Sequence, residues 1–571
     1  MIKKLLILLG CSSSFVFNSQ AQDIIQSKKY PVGAFQYPLD LPPSTAGSFG
    51  ELRSMHFHSG LDFRTNRQTG YPVHAAMYGY VSRLRVQTGG FGNAVYLTHP
   101  NGYTTVYGHL DHLVPELAEA VRKYQYDHQS WEVDFRLQPF QFPVTKGQLI
   151  AISGNTGASG GPHLHFEIRD SLTEETINPQ LFGLTIADKI SPAISSIAVY
   201  QLNGHPFSEN TPRSYYSVSG AAGNYHLTKP ETLFLSGDIG FGISTSDQNS
   251  SSVNRNGIYS LELKLDGRTV YTFAVERFAF DQTHAINAYI DYPLYLKTRR
   301  TIQKCFILPG SKITVYPQSE NRGIISFRDT MLHDVEYVVK DIAGNTSNLK
   351  LKVQASIPKD RPIVNYTGTK FSYDKRNEFS NGPVKVIVEP GNLYDDVDFN
   401  YSVLPQKPGA YSAVHHIHNR LTPIHANFEL WIKPDASIGN LTNKAVIVNT
   451  VAGSVGGIYQ DGYVKAKPAA FGDFHIKVDT TAPVITPINI KQGANLKAVR
   501  SINLRASDDL SGIRSITAKI DGKWVLLQQD YRTRIFRHNF EDGLAAGKHI
   551  FEVTVVDNKD NSRQYTAEFY R

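Results

Sequence analysis

Five side chains between residues 58 and 165 are of the kinds that hold and use a divalent metal ion. His58-Ser59-Gly60-Leu61-Asp62 sets an imidazole and a carboxylate four residues apart, and the backbone freedom of the intervening glycine lets both reach one point. His163-Leu164-His165-Phe166-Glu167-Ile168 is an extended run. In a strand, residues two apart leave the same face, so His163, His165 and Glu167 share one side while Leu164 and Phe166 take the other. Tyr103-Thr104-Thr105-Val106-Tyr107-Gly108-His109 is a second such run, predicted to put Thr105, Tyr107 and His109 on one face. A hydrolytic metal site needs three protein ligands and one open position, at which the ion lowers the pKa of a water to ~7. Only two cysteines are present, Cys11 and Cys305, so the ligands must be drawn from His, Asp or Glu.

The elements around these residues read as sheet. Residues 30–185 contain short alternating runs such as Gly79-Tyr80-Val81-Ser82-Arg83-Leu84 and Ala94-Val95-Tyr96-Leu97, the pattern of antiparallel strands. One segment differs: Leu117, Ala118, Val121 and Tyr124 recur at helical spacing, which predicts a short helix over 115–128 inside an insertion spanning 113–143.

Five blocks then stand in a recognisable order: His-x-Gly-x-Asp at 58–62, Gly-Gly-Phe-Gly-Asn at 89–93, Tyr-x-His-Leu at 107–110, Lys-Gly-Gln at 146–148, and Gly-Asn-Thr-Gly-x-Ser-Gly-Gly-Pro-His-Leu-His-Phe-Glu at 154–167. Across residues 48–170 the chain resembles the M23 metallopeptidases, the lysostaphin or LytM type that cut peptides of bacterial peptidoglycan. The resemblance implies one Zn2+ ion held by His58, Asp62 and His165. It implies catalytic roles for His109 and His163 beside the attacking water, one assisting its deprotonation and the other the oxyanion or the leaving amine, without saying which does which. The insertion after His112 departs from the family, where a short loop is usual, and puts substrate preference and constitutive activity in question. Glu167 either braces a ligand histidine or faces solvent at the groove edge. His56 is out of register with Gly60 and Asp62, and His415, His416, His418 and His425 lack a partner carboxylate pattern, so neither group is expected to bind metal.

At 571 residues the chain exceeds one core, and about three to five domains are expected. With 41% hydrophobic and 19% charged residues it can fill them. Lys3 and Lys4, the apolar Leu5–Leu9 run and Ser19-Gln20-Ala21 read as a signal peptide over 1–21; Leu8-Leu9-Gly10-Cys11 alternatively resembles a lipobox that would anchor the chain through Cys11. Export to the periplasm or cell envelope follows, and no later stretch reaches the ~20 apolar residues of a transmembrane helix. The net charge of +7 lacks the Lys/Arg runs with interleaved aromatics of nucleic-acid binders.

Beyond 185 the chain repeats itself. Asp188-Lys189-Ile190-Ser191-Pro192-Ala193-Ile194 matches Asp479-Thr480-Thr481-Ala482-Pro483-Val484-Ile485, Gly257–Gly267 aligns without a gap to Gly512–Gly522, and Asp341-Ile342-Ala343-Gly344-Asn345 to Asp557-Asn558-Lys559-Asp560-Asn561. The expected organisation is mostly β: a peptidase domain at 30–185 followed by β-sandwich, immunoglobulin-like modules at 186–356, 357–478 (divergent, sharing Pro362-Ile363 at its start) and 479–571. Peptidoglycan peptides are the expected substrate, with other envelope proteins as possible partners of the sandwiches. The competing expectation is a non-hydrolytic wall-binding regulator of another hydrolase, although degenerate relatives of that kind have lost ligands that this chain keeps. A third expectation makes the sandwiches adhesion or scaffold elements and the peptidase an accessory to them.

Overall fold

The computed structural model describes residues 24–358, 365–540 and 544–571; the expected leader with Cys11, and Pro362-Ile363, lie outside these ranges. The chain is mostly β. Its first sheet runs in the order Thr45–Gly47, Leu61–Arg64, His163–Asp170, Tyr103–Leu113, Asn93–Thr98, Gly79–Val86, with every neighbouring pair antiparallel. Register does the essential work. His165 stands opposite Asp62 on one side and Gly108 on the other, and facing residues of paired strands project to the same side. The other face carries Leu61, Tyr107, Leu164, Phe166 and Ile168, all fully buried, so the strands hold their histidines against a packed apolar layer.

The alternation predicted for the Tyr103 run fails at its end. Tyr107 and Leu110 both enter the core, so two residues, Gly108 and His109, lie between them on the opposite side. Register shifts here against Asn93–Thr98, and again against Leu149–Ser153, which pairs with the end of the same strand, and His109 has φ +59°, a left-handed conformation uncommon for a residue with a Cβ. The β-bulge turns His109 away from the face of Thr105 and Tyr107 and onto that of His165. Strict alternation would have buried this imidazole in the core.

The insertion forms a helix over Pro115–His128, as its periodicity predicts, with Leu117 and Val121 packed into the core. After the helix, Val133–Arg136 pairs with Gly79–Val86 and extends the far edge of the sheet. The insertion is therefore woven into the fold, its strand at the far edge of the sheet and its Trp131 beside the Asn155–Gly157 loop.

The expected boundary at 185/186 marks no break in packing. Thr176–Ile177 pairs with Arg277–Phe278, and Phe57 packs against Phe273, Phe278 and Tyr289, so one continuous core joins the first sheet to the following segment. The repeat is visible as topology. Thr346–Ser356, Leu332–Lys340, Ser260–Leu265 and Arg268–Ala274 lie side by side in the order of their counterparts Ser562–Tyr570, Lys548–Asp557, Ile513–Ile520 and Lys523–Val525. Both hairpins turn on Asp-Gly with positive φ at both residues, Asp266-Gly267 and Asp521-Gly522. Between the copies, two five-stranded sheets enclose a separate core.

The last copy folds back onto the first sheet. The Tyr126 and Trp524 rings meet edge to face at 5.1 Å, and Gln529 lies within hydrogen-bond reach of Thr88. Asp111, Trp131, Asn155, Thr156 and residues 528–533 line a cavity of about 320 Å³ between the two.

Candidate metal centre

Four imidazoles and a carboxylate meet on the face opposite the apolar layer. His58 Nε2, Asp62 Oδ1 and His165 Nδ1 form a triangle with sides of 3.0 Å (His58–Asp62), 2.9 Å (His165–Asp62) and 3.1 Å (His58–His165). All three residues are buried. Ligands ~2.0–2.1 Å from a tetrahedral ion stand about 3.3 Å apart, so the donor set and spacing fit a zinc-sized cation. His163 and His109 complete the cluster. His163 Nε2 lies 3.4 Å from Asp62 Oδ1 and makes no hydrogen bond, and the His109 ring is 4.7 Å from that of His163 and 5.9 Å from that of His165.

Each histidine is anchored by its outward nitrogen. His58 Nδ1 donates to the Ser48 carbonyl at 2.7 Å, His109 Nδ1 to the Thr156 carbonyl at 2.8 Å, and His163 Nδ1 to the Gly161 carbonyl at 2.8 Å. His165 is turned the other way, with Nε2 donating to Glu167 Oε1 at 2.9 Å. A carbonyl can only accept, so in His58, His109 and His163 the proton sits on the outward nitrogen and the lone pair on the other. His165 has a carboxylate at each nitrogen, Asp62 Oδ1 at 2.9 Å from Nδ1 and Glu167 at Nε2; burial lowers its ring, but the two carboxylates outweigh that and raise it to about 9, so a cation at the triangle would displace the Nδ1 proton. Burial pushes His58 down to about 4, and burial together with His163 and His165 pushes His109 down to about 3. Both rings stay neutral, as a ligand or a proton acceptor must.

Of the two expectations for Glu167, the structure realises the buried one. The residue is fully buried, accepts from Ser59 Oγ at 2.5 Å and pairs with Arg169 at 2.6 Å. Burial alone would raise its carboxyl, but Arg169 and His165 outweigh it and hold it at about 2. Glu167→Gln is therefore expected to weaken zinc affinity ~10–100-fold, because the acceptor that fixes the His165 ring loses its charge. Competition against a chromophoric chelator reads this directly; an unchanged affinity would make Glu167 a packing residue only.

The spacing motifs gave no sign of Arg53 or Phe91. Arg53 pairs with the outer oxygen of Asp62, which is held well below the usual carboxylate range against the cost of burial. Phe91 stacks on the His165 ring at 4.8 Å. Arg53 sits nine residues before its partner, a separation no local periodicity marks, whereas Phe91 lies inside a glycine block whose meaning emerges only in three dimensions. The role of Gly60 also differs from the expected turn flexibility. A Cβ there would lie 2.4 Å from the Phe166 carbonyl and 3.0 Å from the His165 ring, so the glycine makes room for the neighbouring strand. Gly92 and Gly157 similarly let two loops meet backbone to backbone, which places the Thr156 carbonyl under His109.

The histidines expected to be bland stay apart from the cluster. His56 is exposed and bonds the Ser54 carbonyl, His415 bonds Tyr401, and His416 pairs with Asp473.

Residues 56–126 match peptidase family M23, and residues 368–479 match a Zu5-like domain. An uncharacterized metalloprotease of Haemophilus influenzae is 31% identical over 153 residues, 26% of each protein. The DD-carboxypeptidase/endopeptidase Mpg of Neisseria meningitidis is 31% identical over 143 residues, 24% of this chain and 26% of that protein. The catalytic domain of lysostaphin from Staphylococcus simulans aligns at 25% identity over 24% of this chain and 91% of that one, with a TM-score of 0.18. The match thus spans about a quarter of the length of these curated relatives.

Proposed function

Since the chain carries a domain of peptidase family M23, we propose that it is an exported zinc metalloendopeptidase that hydrolyses peptide bonds in peptidoglycan cross-links or stem peptides. The observation that carries this reading is the converging donor set: one carboxylate oxygen and the inward nitrogens of His58 and His165 at mutual distances of 2.9–3.1 Å, with an unpartnered His163 nitrogen beside them. A regulator that only binds the wall has no use for so complete a set.

His58, Asp62 and His165 would hold one zinc ion. When bound, the ion supplies a water acidified to near-neutral pKa and polarises the scissile carbonyl. The remaining steps belong to the chain. His163 and His109 present their imidazoles beside the open side of the triangle, where one accepts the proton of the attacking water and the other, once protonated, donates to the oxyanion or the departing amine. Burial opposes the ionised form of Asp62, but His58, His163 and His165 outweigh it, and Arg53 pairs with the outer oxygen, so the cluster retains its anionic ligand. The cavity lined by Thr156, Gly157, Trp131 of the insertion and the 528–533 segment adjoins the loop whose Thr156 carbonyl holds His109, and would receive part of the substrate. The relatives named above include a carboxypeptidase/endopeptidase, which supports a peptide bond as the target. The leader at 1–21 would deliver the chain to the envelope, and the sheets beyond 185 offer surfaces for wall polymer or envelope proteins. Among the described residues no helix is long and apolar enough to cross a membrane.

Digestion of purified peptidoglycan with the full chain tests the proposal. New free amino termini are expected, lost on chelation and restored by Zn2+. Glycan cleavage, or intact polymer after incubation with zinc-loaded protein, would move the assignment to the regulatory reading.

A further inference from the structure

The repeat holds a second kind of site. At the join between the first sheet and the first repeat copy, carboxylate oxygens of Asp188, Asp247 and Asp341 all lie within 4.8 Å of one another. The Asp247 side chain is buried and its Oδ1 has no hydrogen-bond partner. Asn256, 5% exposed, pairs with Asp247 through two backbone hydrogen bonds, so their side chains leave the same side, and the Asn256 Oδ1 is also without a partner. Asp188, Asp247 and Asn256 line a common cavity of about 30 Å³, room for a single ion or water. A buried acceptor of this kind calls for a cation or a donor. We propose that Asp188, Asp247 and Asp341, with the Asn256 amide oxygen, bind one hard divalent cation of the Ca2+ class.

The chemistry selects the ion. The donors are all oxygen, which favours calcium or magnesium over zinc, and oxygens as far apart as 4.8 Å still fit on one Ca2+ at ~2.4 Å each. The local electrostatics agree. Burial, Asp341 and Asp188 push Asp247 up to about 8, and burial with Asp188 pushes Asp341 up to about 6 against the hydrogen bonds from Asn345.

The second copy is the internal control. Asp479, Asp508 and Asp557 cluster in the same way, and Asn561 bonds both oxygens of Asp557 as Asn345 bonds those of Asp341. Here, however, although Asp508 Oδ1 is likewise without a hydrogen-bond partner, the buried Lys559, whose Nζ donates to the Gly457 carbonyl, lies within the field of Asp479 and Asp557, and Lys444 donates to Asn561. The first copy has Ala343 where the second has Lys559. One cluster carries its own ammonium; the other is left to an external ion. That ion also bears on the metal centre, because Gly257, next to Asn256, donates to Ser48 Oγ, and the Ser48 carbonyl orients His58.

The test uses the full chain, stripped of divalent ions and reloaded with one equivalent of zinc, then titrated with CaCl2 by calorimetry and followed by thermal unfolding. One Ca2+ per chain is expected, with the transition containing this module raised on the order of 5 °C at a hundredfold excess over Kd. Asp247→Asn and Ala343→Lys should each abolish binding, the second supplying the ammonium of the other copy and so preserving the fold. Asp508→Asn should leave it intact. Absence of binding up to ~10 mM Ca2+, above the range of weak extracellular sites, two ions per chain, or equal loss in Asp508→Asn would overturn the proposal.

Discussion

Asp62→Ala is expected to lower kcat/KM on peptidoglycan peptides by on the order of 10⁴-fold or more, equivalent to about 5 kcal/mol of transition-state stabilisation. The size of the effect follows from the number of groups this carboxylate serves. One oxygen lies within 3.4 Å of His58, His163 and His165, and the other pairs with Arg53. Alanine removes a ligand and also strands a half-buried guanidinium against an imidazole cluster, so electrostatic attraction for a dication becomes repulsion. Elemental analysis of the purified variant should show zinc falling from one per chain toward none. Retained stoichiometric zinc with wild-type hydrolysis would remove the basis for the metallopeptidase assignment.

The second large effect separates proton transfer from metal binding. His163→Ala and His109→Asn are each expected to reduce kcat by ~10²–10⁴-fold while zinc content stays at one per chain. Asparagine is the better replacement at 109 because φ +59° is tolerated by Asn and strained for Ala, so the fold is not the variable being tested. Neither residue belongs to the donor triangle, yet His163 has an unpartnered nitrogen facing it and His109 packs against His163. Loss of zinc together with activity would make the altered residue a ligand; unaltered kcat would make it a spectator.

Much of this site was legible because strands impose a simple parity. His163 and His165 share a face as their spacing predicts, and the same parity sends Leu164 and Phe166 into the core. The helix at Pro115–His128 was legible for the corresponding reason, a four-residue rhythm of apolar side chains. His109 was not. Its orientation depends on a bulge, and a bulge is a disagreement between partner strands that neither sequence records alone. The two expectations for Glu167 could be resolved only by Arg169 and Ser59, which bond it in the folded chain. The packing across 185/186 escaped for a different reason. Composition changes there, but the Phe273–Tyr289 aromatic cluster that packs on Phe57 lies roughly ninety residues further along and carries no local mark of its destination.

The fold-back of the last copy has a temporal consequence. Thr88 and Gln529 flank one groove but are separated by 441 positions. A ribosome makes the two sides of that groove many seconds apart, at ~5–20 residues per second. The nascent polypeptide therefore holds all five residues of the imidazole and carboxylate cluster long before the far bank of the neighbouring groove exists, and that groove is closed only when the chain is almost entirely made.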